Sequence, residues 1–102
     1  KNALIQFYTE LNGYYWYNNE RCNWDLNLIN NDNYCDISSI NCVDGVITDI
    51  NLHDCNLTGY ISPYIGNITT SAQPQQLLNL HLQRNNIYGD IPGELFQENY
   101  YL

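Results

Sequence analysis

The sequence predicts an α/β solenoid, in which a helical N-terminal cap is followed by two stacked repeats with short parallel strands. Three observations predict it. The apolar residues of 77–92 recur with neither a helical nor a plain strand period. The same pattern occurs 30 residues earlier, and a helix-forming segment with a cysteine loop precedes both copies. Repetition matters here because one such unit cannot bury its apolar edge alone.

The later copy reads L-x-x-L-x-L-x-x-N-x-I-x-G-x-I-P from Leu77 to Pro92. Leu80 and Leu82 are expected to point inward from a short strand, with the residues between and after them pointing outward. Asn85 lies where the chain leaves the strand, and its amide can satisfy buried backbone groups of the turn.

Eight positions of the two copies match at the constant offset of 30. They are Ile47, Ile50, Leu52, Cys55, Leu57, Gly59, Ile61 and Ser62 in the first copy, and Leu77, Leu80, Leu82, Asn85, Ile87, Gly89, Ile91 and Pro92 in the second. The polar segment 69–76 contains a proline and is interpreted as a loop insertion. Stacking in parallel register would place Asn51 beside His81.

The cap begins with apolar residues at helical spacing between Ala3 and Leu11, and Asn12-Gly13 is a stop signal. Four aromatic residues follow at 14–17, of which Trp16 is expected to pack beneath the helix. A surface for stacking sugars is the alternative interpretation of these aromatics. Residues 18–34 are expected to be irregular, and Asp44-Gly45 to turn the chain into a strand at 46–52.

These segments together resemble the capping domain and first repeats of plant-type leucine-rich repeat proteins. The matching motifs are Leu57-Thr58-Gly59-Tyr60-Ile61-Ser62-Pro63 and Ile65-Gly66-Asn67-Ile68-Thr69, with Ser39-Ile40-Asn41-Cys42 before the first strand. The resemblance implies a cap at 1–45 and repeats at about 46–76 and 77–102, all in one domain. It also implies a module that binds other molecules and is not an enzyme.

The cysteines depart from that family's usual pattern at two positions, Cys22 and Cys55. The family's cap disulfide maps onto Cys35 and Cys42, which leaves Cys22 to pair with Cys55. A buried free thiol at Cys55 is the alternative, because this repeat position accepts Asn or Cys.

Charge and composition exclude some partners. The formal net charge is −8, so nucleic acid is a poor candidate because phosphate binding requires clustered positive charge. The sequence has no apolar run long enough to span a membrane. Four cysteines in a short chain predict a secreted, extracellular protein.

Candidate modification sites are the triplets Asn56-Leu57-Thr58 and Asn67-Ile68-Thr69, which match the N-glycosylation acceptor pattern. N-linked glycans are therefore expected at Asn56 and Asn67. No cofactor is expected, and no nucleophile elbow or phosphate-binding loop occurs.

The candidate contact surface comprises Asn51, His53, His81, Gln83, Tyr100, Tyr101 and Leu102. A metal site built on the two histidines is geometrically conceivable, but the pattern offers no third ligand opposite them, and none is predicted. A polar surface for protein contacts explains the same residues.

Two functions follow from this surface. The chain ends where a third repeat would begin, so the strand around 78–83 is expected to be an unpaired edge. We therefore expect a homo-oligomer or fibre joined end to end through the open C-terminal end of the solenoid. The alternative is a ligand-recognition fragment of a longer receptor or inhibitor, binding protein or glycan on its concave face.

Overall fold

The computed structural model describes residues 2–61 and 79–89, together with the backbone of Tyr100–Tyr101. Two helices, α1 (Asn2–Glu10) and α2 (Leu26–Asn30), lie in the N-terminal part, with 3₁₀ turns at Gly13–Tyr15 and Tyr34–Asp36. The strands are β1 (Ile40–Val43), β2 (Val46–Asn51), β3 (Thr58–Gly59), β4 (Asn79–His81), β5 (Asn86–Ile87) and β6 (Tyr100–Tyr101).

Helix α1 agrees with its sequence pattern. It buries Leu4 and Phe7, and the chain leaves it through Asn12, whose φ of 57° is left-handed. Trp16 is buried as predicted, and its indole N–H donates to the carbonyl of Leu11 at 2.8 Å. The ring of Trp16 also packs edge-on against Trp24, with centroids 5.1 Å apart. These contacts fix the turn that follows the helix.

The prediction of irregular structure throughout 18–34 is wrong, because α2 forms within it. Asp25 caps this helix by accepting a hydrogen bond from the backbone N–H of Asn27 at 2.9 Å. Capping satisfies a helix N–H that would otherwise lack a partner. Ile29 is fully buried and attaches the helix to the core.

The main sheet has the order β1-β2-β4-β6. β1 and β2 form an antiparallel hairpin through Asp44-Gly45, where both residues have positive φ. β2 and β4 are parallel, and Ile50 lies opposite Leu80. The 30-residue register predicted from the repeated pattern is therefore confirmed for this strand pair.

A β-bulge explains the uneven spacing of the apolar residues in β2. Asn41 pairs with Asp49 and Cys42 with Ile47, so Thr48 is the extra residue. A bulge shifts the alternation of side chains by one position. Ile47 and Ile50, three residues apart, consequently both face the core.

A second, smaller sheet pairs β3 with β5 in parallel, with Gly59 opposite Ile87. The offset here is 28 residues, two fewer than in the main sheet. The turn after β2 has two residues of positive φ, Asp54 and Asn56, whereas the described turn after β4 has one, Arg84. The two turns therefore follow different backbone paths, although their sequences align without a gap.

The expectation that the second repeat strand is an edge is wrong. β6 pairs in parallel with β4, with Leu80 opposite Tyr100 and His81 opposite Tyr101. The backbone of β4 is thus hydrogen-bonded on both sides. Asn67 and Leu102, two residues singled out from the sequence, lie outside the described residues.

One cluster of buried side chains runs from the cap into both strand units. It includes Leu4 and Trp16 from the cap, Ile50 and Leu57 from the first unit, and Leu82 from the second. In the described ranges, no helix is long and apolar enough to cross a membrane.

Candidate functional site

The outward face of β2 and β4 carries polar side chains in matched pairs. Asp49 lies opposite Asn79, and Asn51 lies opposite His81. The Asn79 amide donates to the Asp49 carboxylate at 2.8 Å, and the hydroxyl of Thr48 donates to the same carboxylate at 2.9 Å. These hydrogen bonds hold Asp49 in a fixed orientation. We call the face formed by residues 49, 51, 53, 79, 81 and 83 the polar sheet face.

The centre of the polar sheet face is half-buried, and its side chains are linked. Asn51 and His53 contact each other through the Asn51 side-chain oxygen and the His53 Nδ1, 2.5 Å apart. With the Asn51 amide oriented so that its oxygen faces the ring, Nδ1 carries the proton in this contact, because an amide oxygen only accepts. His53 therefore presents Nε2 as its acceptor when the ring is neutral.

Burial lowers the pKa of His53 below its ordinary value of 6.5, with smaller contributions from nearby charges. Arg21 and Arg84 lower the pKa further, His81 acts in the same direction, and Asp54 opposes them. Two of the three Lys and Arg residues of this acidic chain thus act on one histidine. The polar sheet face thus carries the Asp49 carboxylate at one end and His53, close to Arg21 and Arg84, at the other.

The side chain of Gln83 carries an unsatisfied hydrogen-bond acceptor. Its side-chain oxygen is buried and has no hydrogen-bond partner within the described part of the chain. A buried oxygen without a partner carries a free-energy cost of about 1–3 kcal/mol. Its backbone carbonyl, by contrast, accepts from the N–H of Asp54 at 3.0 Å.

The turn beneath the face is fixed by Asn85. Its side-chain oxygen accepts from the backbone N–H of Cys55 at 3.0 Å and of Leu57 at 2.9 Å. Its amide nitrogen donates to the carbonyls of Leu52 and Leu82, both at 2.9 Å. One side chain thus satisfies backbone groups of both strand units, which is the role predicted for Asn85 from the repeated pattern.

Disulfides join Cys22 to Cys55 and Cys35 to Cys42. These are the same pairs as in the sequence analysis, and the described residues include no free cysteine. The first bridge attaches the loop after the aromatic segment to the turn after β2. The second lies at the solvent-facing start of the hairpin, where Cys35 is exposed.

Sequence reasoning missed Arg21. Its guanidinium donates to the backbone carbonyl of His53, two residues after β2 ends, at 2.6 Å. Arg21 thus satisfies a backbone acceptor in the turn that follows this strand. The sequence shows only that Arg21 precedes Cys22. The pairing of a cysteine does not determine which way the side chain of the preceding residue points. The backbones of Tyr100 and Tyr101 extend the sheet beside β4, and their side chains lie outside the described part of the structure.

No set of three metal-binding side chains is found among the described residues. His53 and His81 interact electrostatically, and His53 also bonds to Asn51. The polar sheet face thus offers hydrogen-bond donors and acceptors on a rigid sheet.

Comparison with known proteins gives two weak relatives, both from Arabidopsis thaliana. The Protein MALE DISCOVERER 1 is 33% identical over 72 residues, which is 71% of this chain and 9% of that protein. The Receptor-like kinase TMK4 is 35% identical over 60 residues, which is 59% of this chain and 6% of that protein. The chain therefore spans less than a tenth of the length of either relative. No protein-family profile matches the chain.

Proposed function

We propose that this chain is the N-terminal cap and first repeats of an extracellular leucine-rich repeat protein that recognises a protein partner through the polar sheet face. The observation that carries the proposal is the parallel pairing of β2 with β4, which aligns Asp49 with Asn79 and Asn51 with His81. A solenoid stacks repeats so that equivalent positions form one continuous surface. Similarity to a receptor-like kinase supports a part in recognition.

The face offers hydrogen-bonding groups to a partner. Asp49 already accepts two hydrogen bonds, and the lowered pKa of His53 keeps its ring neutral near pH 7. The neutral ring of His53 offers Nε2 as an acceptor for a donor on a partner. A partner is therefore expected to place an N–H or O–H group, such as a peptide amide, against His53 Nε2.

Two disulfides support an extracellular location. Disulfides persist in oxidising compartments. The Cys35–Cys42 bridge closes a loop within the proposed cap, and the Cys22–Cys55 bridge attaches that cap to the first repeat. The proposed protein is non-catalytic and needs no cofactor.

Self-assembly through the C-terminal end is the rival: because β6 pairs with β4, an end-to-end contact would form at β6 and not at β4. Sedimentation of the purified chain over a wide concentration range distinguishes the two. A monomer that remains monomeric at high concentration supports recognition of a different molecule. Concentration-dependent growth into rings or filaments would favour assembly and contradict the proposal.

The recognition itself is tested with the immobilised chain against purified extracellular receptor domains and synthetic secreted peptides. For any binder found, Asn51→Ala and His81→Ala are expected to weaken binding at least tenfold, since interface centres dominate affinity. Asn86→Ala, an exposed position on the other sheet, is the matched control and should leave binding unchanged. Equal affinity of all three variants, or the absence of any binder, would contradict the proposed function.

A further inference from the structure

Two tyrosines project from the turn that follows α1. Tyr14 is 83% exposed and Tyr15 is 68% exposed, and their rings meet edge to face with centroids 5.3 Å apart. Trp16, the next residue, is buried, so the turn divides its aromatics between core and solvent. Aromatic rings contribute most to stability when they are buried against other groups, and these two leave most of their surface in solvent.

The glycosylation triplet Asn56-Leu57-Thr58 reaches the same turn. The Asn56 side-chain nitrogen donates to the backbone carbonyl of Tyr15 at 3.0 Å. A second bond, from the N–H of Tyr17 to the carbonyl of Cys55 at 3.1 Å, holds the two segments together. Cys55 is itself fixed by its bridge to Cys22. The acceptor nitrogen is therefore held at a defined position against the backbone of Tyr15, the residue that carries one of the two exposed rings.

The amide nitrogen of Asn56 has two hydrogens, and the bond to Tyr15 uses one of them. Attachment of a glycan replaces the other. The sugar's C1–O bond to a lipid diphosphate breaks, the bond from C1 to the Asn56 nitrogen forms, and that nitrogen loses one proton as the lipid diphosphate leaves. The hydrogen bond to Tyr15 can thus persist in the glycosylated protein.

We propose that the first N-acetylglucosamine on Asn56 packs its apolar C–H face against the ring of Tyr15, with Tyr14 supporting that ring edge-on. The glycan would then be part of the folded cap and would cover aromatic surface that the unmodified chain leaves in water. The inference rests on the extracellular location in the proposed function, because the glycan donor is a lipid-linked oligosaccharide of the secretory pathway.

The experiment uses the full chain with Thr69→Ala, so that Asn56 is the single remaining acceptor of the Asn-x-Thr type. Three forms are compared: the fully glycosylated chain, the same chain trimmed enzymatically to one N-acetylglucosamine, and the unmodified chain from a host without N-glycosylation. Mass spectrometry of the Asn56 peptide establishes occupancy. Thermal unfolding then gives the Tm of each form.

A single sugar is expected to raise Tm by about 4–8 °C, and trimming the glycan should preserve the rise. Tyr15→Ala should abolish the rise, whereas Tyr15→Phe, which keeps the ring, should retain it. Tyr88→Ala is the matched control, because Tyr88 is 66% exposed but lies beside Gly59 on the other sheet.

Two results would overturn the inference: an unoccupied Asn56, or an equal rise in Tm for the native chain and Tyr15→Ala. Neither result touches the polar sheet face. Binding by the Asn51 and His81 variants is measured separately, so failure of the glycan contact is distinguishable from failure of the proposed function.

Discussion

The side-chain oxygen of Asn85 lies 3.0 Å from the backbone nitrogen of Cys55, the residue 30 positions earlier that occupies the same place in the repeated pattern. The two equivalent positions attach their turns in different ways. Asn85 does so through hydrogen bonds to the preceding unit, and Cys55 through a covalent bond to the cap. Each strand unit is thus fastened to the unit before it.

Replacement of Asn85 by alanine is expected to lower the free energy of unfolding by about 2–4 kcal/mol, because several part-buried backbone groups lose their partner together. Denaturant unfolding measures this loss. Asn86→Ala is the control, since that side chain is exposed, and it should change stability by less than about 0.5 kcal/mol. Equal effects of the two variants would show that the hydrogen bonds of Asn85 do not hold the turn.

Gly59 is expected to tolerate no side chain. A Cβ at this position would lie 2.3 Å from the backbone carbonyl oxygen of Glu10, and φ is +133°. Gly59→Ala should therefore destabilise the protein by about 2–4 kcal/mol, from overpacking together with backbone strain.

Gly45→Ala separates those two causes. Gly45 also has positive φ, +79°, but a Cβ there meets open space. It should cost only about 1 kcal/mol, from the backbone strain alone. If the two alanine variants unfold at the same denaturant concentration, the end of α1 does not pack against β3 as described.

The two disulfides are expected to contribute unequally. Removing Cys22 and Cys55 together opens a loop with a sequence separation of 33 and should cost about 4 kcal/mol. Removing Cys35 and Cys42, with a separation of 7, should cost about 2.5 kcal/mol. Paired alanine variants compared by denaturant unfolding test the order. Cys22 and Cys55 are also fully buried, which adds to the expected cost of removing them. A larger loss of stability for the Cys35–Cys42 pair would contradict this order.

Stability is expected to fall as the pH drops below 6.5 because of His53. Its pKa is lowered in the folded chain, mainly by burial, so the unfolded chain binds a proton more readily. The contribution of His53 is complete above pH 6.5 and is lost as the pH falls toward the lowered folded value. Unfolding of the native chain and His53→Gln at several pH values measures the difference between them.

If the native chain and His53→Gln show the same pH dependence between pH 7.5 and 5, His53 is not responsible. His81→Gln serves as the companion variant, because it retains His53 and should keep most of the pH dependence. An NMR titration of the two rings gives their pKa values directly.

The register of β2 and β4 was predictable because the apolar residues repeat every 30 positions, and residues 30 positions apart lie opposite each other in this strand pair. The sequence also indicated the role of Asn85, whose side chain satisfies local backbone groups. By contrast, the bulge at Thr48 and the 28-residue offset of β3 and β5 depend on backbone angles within turns. A pattern of apolar residues carries no information on those angles.

Most residues of the polar sheet face were predictable, because side chains alternate along a strand and the polar residues between the apolar ones therefore point outward. Arg21 was not found, because a long side chain from an irregular loop is directed by tertiary contacts. The pairing of β4 with β6 was also missed. The residues before β6 lack the apolar spacing that marks the other two repeats, and the offset is 20 instead of 30.

Inter-strand nuclear Overhauser effects test the parallel pairing on which the polar sheet face depends. The N–H of Leu52 donates to the carbonyl of His81 at 2.9 Å, so the amide proton of Leu52 should show contacts with the α-protons of His81 or Leu82. The paired residues Asn51 and His81 should show contacts as well. Contacts from Leu52 to a segment other than 81–82, or an antiparallel pattern between the two strands, would contradict the account.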